Sequence, residues 1–166
     1  MINLQFPNGM AQQWAVVTCL LSGGMLCIAL HMEFIMGLAP CPLCMMQRFW
    51  MALTGLVAYI SLLHNPRWGI YPVLGIGTAL TGAYFSGKQL WLQSLPEDKV
   101  PACGPDLQYM LDSFPLSDVW VAMTAGTGDC AKVAWSLLGI SIPGWTLLGF
   151  ALLTVCLVLQ LRQGAR

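Results

Sequence analysis

The sequence predicts an all-α integral membrane protein: a four-transmembrane-helix bundle in one domain, residues 1–166, with a long, partly mobile outer loop carrying a short membrane-surface helix. Three observations predict it. Of the 166 residues, 57% are hydrophobic and only 8% charged, where a soluble domain carries roughly 25% charged residues. The apolar residues form four blocks close to the roughly 20 residues that a membrane span needs, rather than the short periodic faces of a globular core. Arg67, Arg162 and Arg166 then fall where the same side of a bilayer would receive them. Seven basic residues balance seven acidic ones, so no nucleic-acid footprint exists and the lipid bilayer is the expected surrounding.

The first span is residues 14–32, which hold no formal charge before Glu33. Residues 1–13 carry no Lys or Arg, and no small-residue cleavage site follows the block, so it reads as a retained helix rather than a signal peptide. The second span, 45–63, is interrupted only by Arg48, and the third, 68–87, is uncharged up to Lys88. The fourth covers 143–161. Gly75, Gly77, Gly82 and Pro143 fit membrane helices better than soluble ones.

Orientation follows from short-loop arginines. Residues 1–13, 64–67 and 162–166 are expected to be cytoplasmic, with both termini on that side, and 33–44 and 88–142 to face outward. The segment 88–132 holds three Lys and six acidic residues, a net charge of −3, which suits the outer side. Within it, Leu116, Val119, Trp120 and Met123 recur at helical spacing opposite Ser117 and Asp118. This predicts a short helix that either lies on the membrane or packs on the outer helix ends.

This topology sorts the seven cysteines. Cys19, Cys27 and Cys156 fall within spans and read as small apolar filling. Cys41, Cys44, Cys103 and Cys130 fall outside, where disulfides persist if the compartment is a bacterial periplasm. Cys41-Pro42-Leu43-Cys44 is a C-x-x-C pair at the mouth of the second helix, the spacing of redox exchange. Half of a zinc site is the alternative, but His31 and His64 are poorly placed to complete it, and no metal is expected. Cys44 opens a helix, whose amide dipoles favour a thiolate, and Arg48 lies four residues on, on the same face. A guanidinium there can support the thiolate and hydrogen-bond the oxygen of a bound quinone, although a residue so near a helix end can also snorkel to the interface. Cys103, in Pro101-Ala102-Cys103-Gly104-Pro105, is expected on an extended, exposed strand. Cys130 follows the turn-rich Gly126-Thr127-Gly128-Asp129 and is expected to be exposed and flexible like Cys103. A plain structural staple between the two is the alternative.

Taken in order, these segments resemble the bacterial disulfide bond formation protein B family of inner-membrane oxidases. The likeness runs through Pro40-Cys41-Pro42-Leu43-Cys44 with Gln47-Arg48, Trp91-Leu92-Gln93, the Cys103 motif with Asp106-Leu107, Gly128-Asp129-Cys130, Trp135 and Pro143-Gly144-Trp145. The resemblance implies that Cys103 and Cys130 form a loop disulfide that accepts electrons from a DsbA-like periplasmic thiol oxidase. It implies that Cys41 and Cys44 form the second disulfide, with Cys44 the sulfur facing the quinone. Arg48 helps bind that cofactor, ubiquinone or menaquinone from the membrane pool, and Gln47 is a further candidate contact. Some members carry Glu in place of Gln47 and His in place of Gln89, so this chain lacks two titratable groups on any proton route. DsbA stands near about −120 mV and structural disulfides below about −300 mV, a gap of roughly 8 kcal/mol for two electrons, so a high-potential acceptor is required. Two other readings compete: a quinone reductase like vitamin K epoxide reductase, and a non-enzymatic membrane protein whose outer disulfides are structural.

Overall fold

The structure of the chain is a computed structural model that describes residues 9–104 and 107–164. The expected cytoplasmic residues 1–8, Pro105 and Asp106 of the Cys103 motif, and Arg166 lie outside the described residues. Four long helices dominate: α1 (Met10–Phe34), α2 (Pro42–Leu63), α3 (Ile70–Gln93) and α6 (Ile142–Gly164). Two short helices, α4 (Leu107–Ser113) and α5 (Leu116–Ala125), lie in the connection between α3 and α6, which ends in a two-residue antiparallel ladder of β1 (Ser136–Leu137) and β2 (Ile140–Ser141). The ladder was not expected in an all-α chain. It forms because Leu138 (φ 54°) and Gly139 (φ 78°) adopt the paired positive φ of a tight hairpin turn.

Each long helix packs on two neighbours in the cyclic order α1–α2–α3–α6. Small residues permit the approach. At Gly82 an added Cβ would stand 2.2 Å from the Phe150 ring, so this glycine is what lets α3 and α6 meet around the fully buried Phe150. Met51, Ala79, Leu153 and Leu157 complete that core. Buried hydroxyls spend their donors inside the bundle: Ser22 donates to the Met51 carbonyl at 2.7 Å, and Thr54 meets Thr78 at 2.8 Å. At the end that holds Arg67, Gln160 of α6 donates to Ser61 at 3.0 Å and to the Pro66 carbonyl at 3.1 Å, tying the α2–α3 turn to the last helix.

Among the described residues three helices, α1, α2 and α6, are long and apolar enough to cross a membrane. The outward faces carry what lipid requires, with Leu20, Ile28, Leu56, Leu74, Leu80 and Leu152 all more than half exposed. Helix α3 is as long, but the glycines, threonines and serines that let it pack closely dilute its apolar character.

Candidate active site

Proline fixes where α2 starts and thereby where two sulfurs stand. Pro42 occupies the first turn, where its locked φ and missing N–H cost nothing, and Cys41 before it is extended (φ −73°, ψ 164°) as the N-cap. The Cys41 sulfur accepts a hydrogen bond from the Cys44 N–H at 3.4 Å, and one helical turn brings the two sulfurs to 2.8 Å. A disulfide closes from there by side-chain rotation.

The third sulfur arrives from the long connection. Gly126 (φ +84°) ends α5, and a Cβ there would stand 2.8 Å from Leu43 and 2.9 Å from Leu92, so only glycine lets the chain dive between the outer ends of α2 and α3. Cys130, in the 3-10 turn Gly128–Ala131, is consequently fully buried among Leu43, Met46, Phe85 and Leu92, with Cys41 packed against the cluster. This corrects the expectation of an exposed, flexible Cys130, because the Gly126-Thr127-Gly128 turn is a docking device rather than a loose linker. The Cys130 thiol is lowered to about 6, chiefly by a hydrogen bond from Cys41, with burial opposing and the Leu43 and Thr127 N–H groups assisting. Cys41 is pushed up by its bonds to Cys130 and then Cys44, and by burial.

Cys103 is exposed on an extended segment, as expected. That segment lies directly on the turn before Cys130: the Gly128 N–H donates to the Ala102 carbonyl at 3.1 Å, and a Cβ on Gly128 would meet the Pro101 carbonyl at 2.4 Å. Lys132 pairs with Asp129 at 2.8 Å; that carboxylate first, and Cys103 beside it, hold the ammonium charged.

Behind Cys44 opens an apolar cavity of about 380 Å³ between α1, α2, α6 and the β1–β2 hairpin. Met25, Leu26, Met32 and Trp145 form much of its wall, and Cys44, Gln47 and Arg48 stand together on its α2 side. Arg48 was expected to support the Cys44 thiolate. Instead its Nη1 pairs with Glu33 of α1 and its Nη2 donates to the Ala29 carbonyl at 3.0 Å. A charge in a low-dielectric setting takes the opposite charge within reach, and Glu33, which sequence reasoning used only to end a span, supplies it.

The sulfurs take their side-chain donor from α3. Gln89 Nε2 lies 3.3 Å from the Cys41 sulfur and 3.4 Å from that of Cys44, while its Oε1 accepts from Gln47 Nε2 at 2.6 Å. Thr146 of α6 donates to Gln47 Oε1 at 2.8 Å. Sequence spacing places Gln47 one turn from Cys44 on the same helix, but nothing local connects either residue to Gln89 or Thr146. The structure thus brings together Cys41, Cys44, Cys130, Gln47 and Arg48, and leaves Cys103 at the surface. Cys19 is half-buried, Cys27 exposed and Cys156 buried.

The chain is 51% identical over 148 residues to disulfide bond formation protein B of Hahella chejuensis, covering 87% of this chain and 90% of that one. It is 49% identical over 150 residues to the protein of that name from Marinobacter nauticus (88% and 89% covered), and 47% over 140 residues to that of Nitrosococcus oceani (82% and 83%). No solved structure matches the chain. The family described as disulfide bond formation protein DsbB matches residues 11–160, and with relatives of this identity over most of its length the chain belongs to that family of disulfide-forming oxidoreductases.

Proposed function

We propose that the chain is a protein-dithiol:quinone oxidoreductase of the bacterial inner membrane. It re-oxidises a DsbA-like periplasmic dithiol protein and delivers two electrons to ubiquinone or menaquinone. In this reading all four long helices span the bilayer, both termini and the 64–67 turn are cytoplasmic, and the connections holding the four outer cysteines are periplasmic. The exposed stripe of α5 rests on the membrane surface.

The observation that supports it is the line of sulfurs from surface to cavity: Cys103 exposed, Cys130 buried against Cys41, and Cys44 on the cavity wall. A substrate thiolate attacks Cys103 of the Cys103–Cys130 disulfide, and Cys130 leaves as thiolate. The second substrate thiol, deprotonated, then displaces Cys103, and the substrate departs as a disulfide. The Cys130 thiolate attacks Cys41 of the Cys41–Cys44 disulfide; the sulfur–sulfur bond forms, and Cys44 leaves with the electron pair. Attack by Cys103 on Cys130 restores the loop disulfide and releases Cys41, so the electrons rest on the Cys41–Cys44 dithiol. Thiolate attack and a stabilised leaving sulfur set the rate of each step.

The cavity fits a quinone ring: about 380 Å³ lies within the roughly 300–1,000 Å³ usual for small-molecule sites, and its walls are apolar. Arg48 and Gln47 are the residues that would hold the ring oxygens. The quinone supplies a two-electron, two-proton acceptor that returns Cys41 and Cys44 to the disulfide. Thiol trapping in cells with and without a quinone supply tests the reading. The Cys41–Cys44 pair accumulates reduced when quinone is withdrawn; an unchanged pattern marks structural disulfides in a non-enzymatic protein and overturns it. Turnover of the purified protein with each quinone assigns the acceptor.

A further inference from the structure

Gln89 is 3% exposed, on the last turns of α3, and every polar atom of its side chain is engaged. Its amide is oriented together with its neighbours, Gln47 and Thr146, and the Thr146 hydroxyl also reaches the Pro143 carbonyl at 3.0 Å. Thr146 donates to Gln47 Oε1, which turns Gln47 Nε2 toward Gln89 Oε1 and leaves the Gln89 NH2 group for the sulfurs. Reversing the Gln89 amide alone would set two NH2 groups against each other at 2.6 Å. The contact from the Cys44 thiol to Gln89 Oε1, at 3.6 Å, is the longer one.

We propose that Gln89 is a thiolate-stabilising residue of this chain: its NH2 group is the donor common to both sulfurs of the C-x-x-C pair and holds the charge that appears on Cys44. This rests on the proposed exchange, in which Cys130 attacks Cys41, the Cys41–Cys44 bond breaks and the electron pair stays on Cys44. One NH2 group within 3.4 Å of both sulfurs is already in place on whichever of them carries charge, so no reorganisation is needed as the charge moves. A carboxamide takes up no proton in this range, so Gln89 acts as a donor and never as a base. Other charged or titratable groups near Cys44 are few. They are Cys41 and Cys130; Arg48, engaged by Glu33 of α1; and Lys88 of α3, which donates to the Thr124 carbonyl at 2.8 Å. Helix α6 brings Thr146, and its arginine, Arg162, stands in the last turn at the opposite end of the helix.

The test is alkylation of Cys44 in the fully reduced, quinone-free, full-length protein, resolved by peptide mass spectrometry across pH. Gln89→Leu is expected to slow Cys44 alkylation at neutral pH about tenfold and to move its midpoint up by about one pH unit, the two being equivalent. Gln89→His, which keeps an N–H donor, restores most of the rate. Gln89→Glu is isosteric and retains the shape of the site even if the leucine variant fails to fold; as an acceptor-only carboxylate it is expected to slow Cys44 more than Gln89→Leu does. Cys103, exposed and outside the sulfur cluster, serves as the internal control and keeps its rate in all three. A Cys44 profile that stays unchanged in Gln89→Glu, or that shifts together with Cys103, overturns the proposal. No quinone or substrate enters the assay, so this failure is distinct from failure of the electron route, which trapping in cells reads.

Discussion

Arg48 and Cys130 both owe their character to a neighbour that the sequence does not announce. The Arg48 guanidinium is clamped between the Glu33 carboxylate and the Ala29 carbonyl, which leaves its remaining N–H groups for the cavity. Arg48→Met should therefore raise the KM for quinone, by about 10-fold to 150-fold if one charge-assisted hydrogen bond of about 1.5 to 3 kcal/mol is lost. Arg48→Lys keeps the charge but not the planar fork and should cost less. Exchange between Cys103 and a DsbA-like partner should be untouched in both; if it slows while the quinone KM holds, Arg48 is a structural residue. Cys130 carries a different prediction. A thiol lowered to about 6 by the Cys41 hydrogen bond is a thiolate above that pH and a thiol below it, so its alkylation rate should fall as pH drops through about 6. In Cys41→Ala the midpoint should climb toward the ordinary value of 9.0. A midpoint that stays near 6 in that variant would show that the low value does not come from Cys41.

Among the elements, α5 decides how the mobile-looking connection is held. Its apolar stripe divides: Val119 is buried and Met123 packs on the Cys130 cluster, while Leu116 and Trp120 stay exposed at 77% and 61%. Lys88 of α3 adds a second anchor by donating to the Thr124 carbonyl at the α5 terminus. Val119→Asp places an unpaired charge in the seat and should cost about 3 kcal/mol or more of local stability, read as faster proteolysis around Gly126 and loss of exchange at Cys130. Trp120→Asp should leave that seat intact and weaken only binding to lipid vesicles; equal proteolysis of the two variants would contradict this division. The stripe itself was legible in the spacing of Leu116, Val119, Trp120 and Met123, because helical periodicity is local. Which half faces protein was not, since that depends on α2 arriving from more than fifty residues away. The same reasoning separates what else could be read. Cys41 and Cys44 with Pro42 declare their geometry within four residues, and Arg48 lies one turn beyond. The Gln89–Gln47–Thr146 chain joins three helices, the burial of Cys130 follows from a positive φ at Gly126, and the β1–β2 hairpin rests on Leu138 accepting a conformation that β-turn statistics reserve mostly for Gly and Asn.

On the scale of the whole molecule, the four long blocks of the sequence become four long helices, yet among the described residues α1, α2 and α6 alone are long and apolar enough to cross a membrane. Packing argues for the fourth. One end of α3 touches the bundle where Gly69 meets Leu161 of α6, and the other end brings Gln89 to the sulfurs at the start of α2. Between those points its 24 residues rise about 36 Å at 1.5 Å each, enough to cross a hydrocarbon core of about 30 Å. Helices α2 and α6, which flank it, are long and apolar enough to cross the same thickness, so α3 can leave the bilayer only if they do. Its low apolarity follows from its place in the bundle: Gly75 and Gly82 receive Leu157 and Phe150 of α6, and a helix that is covered on two sides needs fewer lipid-facing leucines. The prediction is an alternation of sides. A reporter active only in the periplasm, inserted after Asn65 or fused after Gly164, should be silent, and one inserted after Ser94 should be active. If α3 stayed on one side of the bilayer, Asn65 and Ser94 would report alike, and Cys41 and Cys130 would then lie on opposite faces of the membrane. Such a result cannot coexist with their packing in one cluster at the outer end of α2, so the pair of reporters at Asn65 and Ser94 tests the bundle and the electron route together.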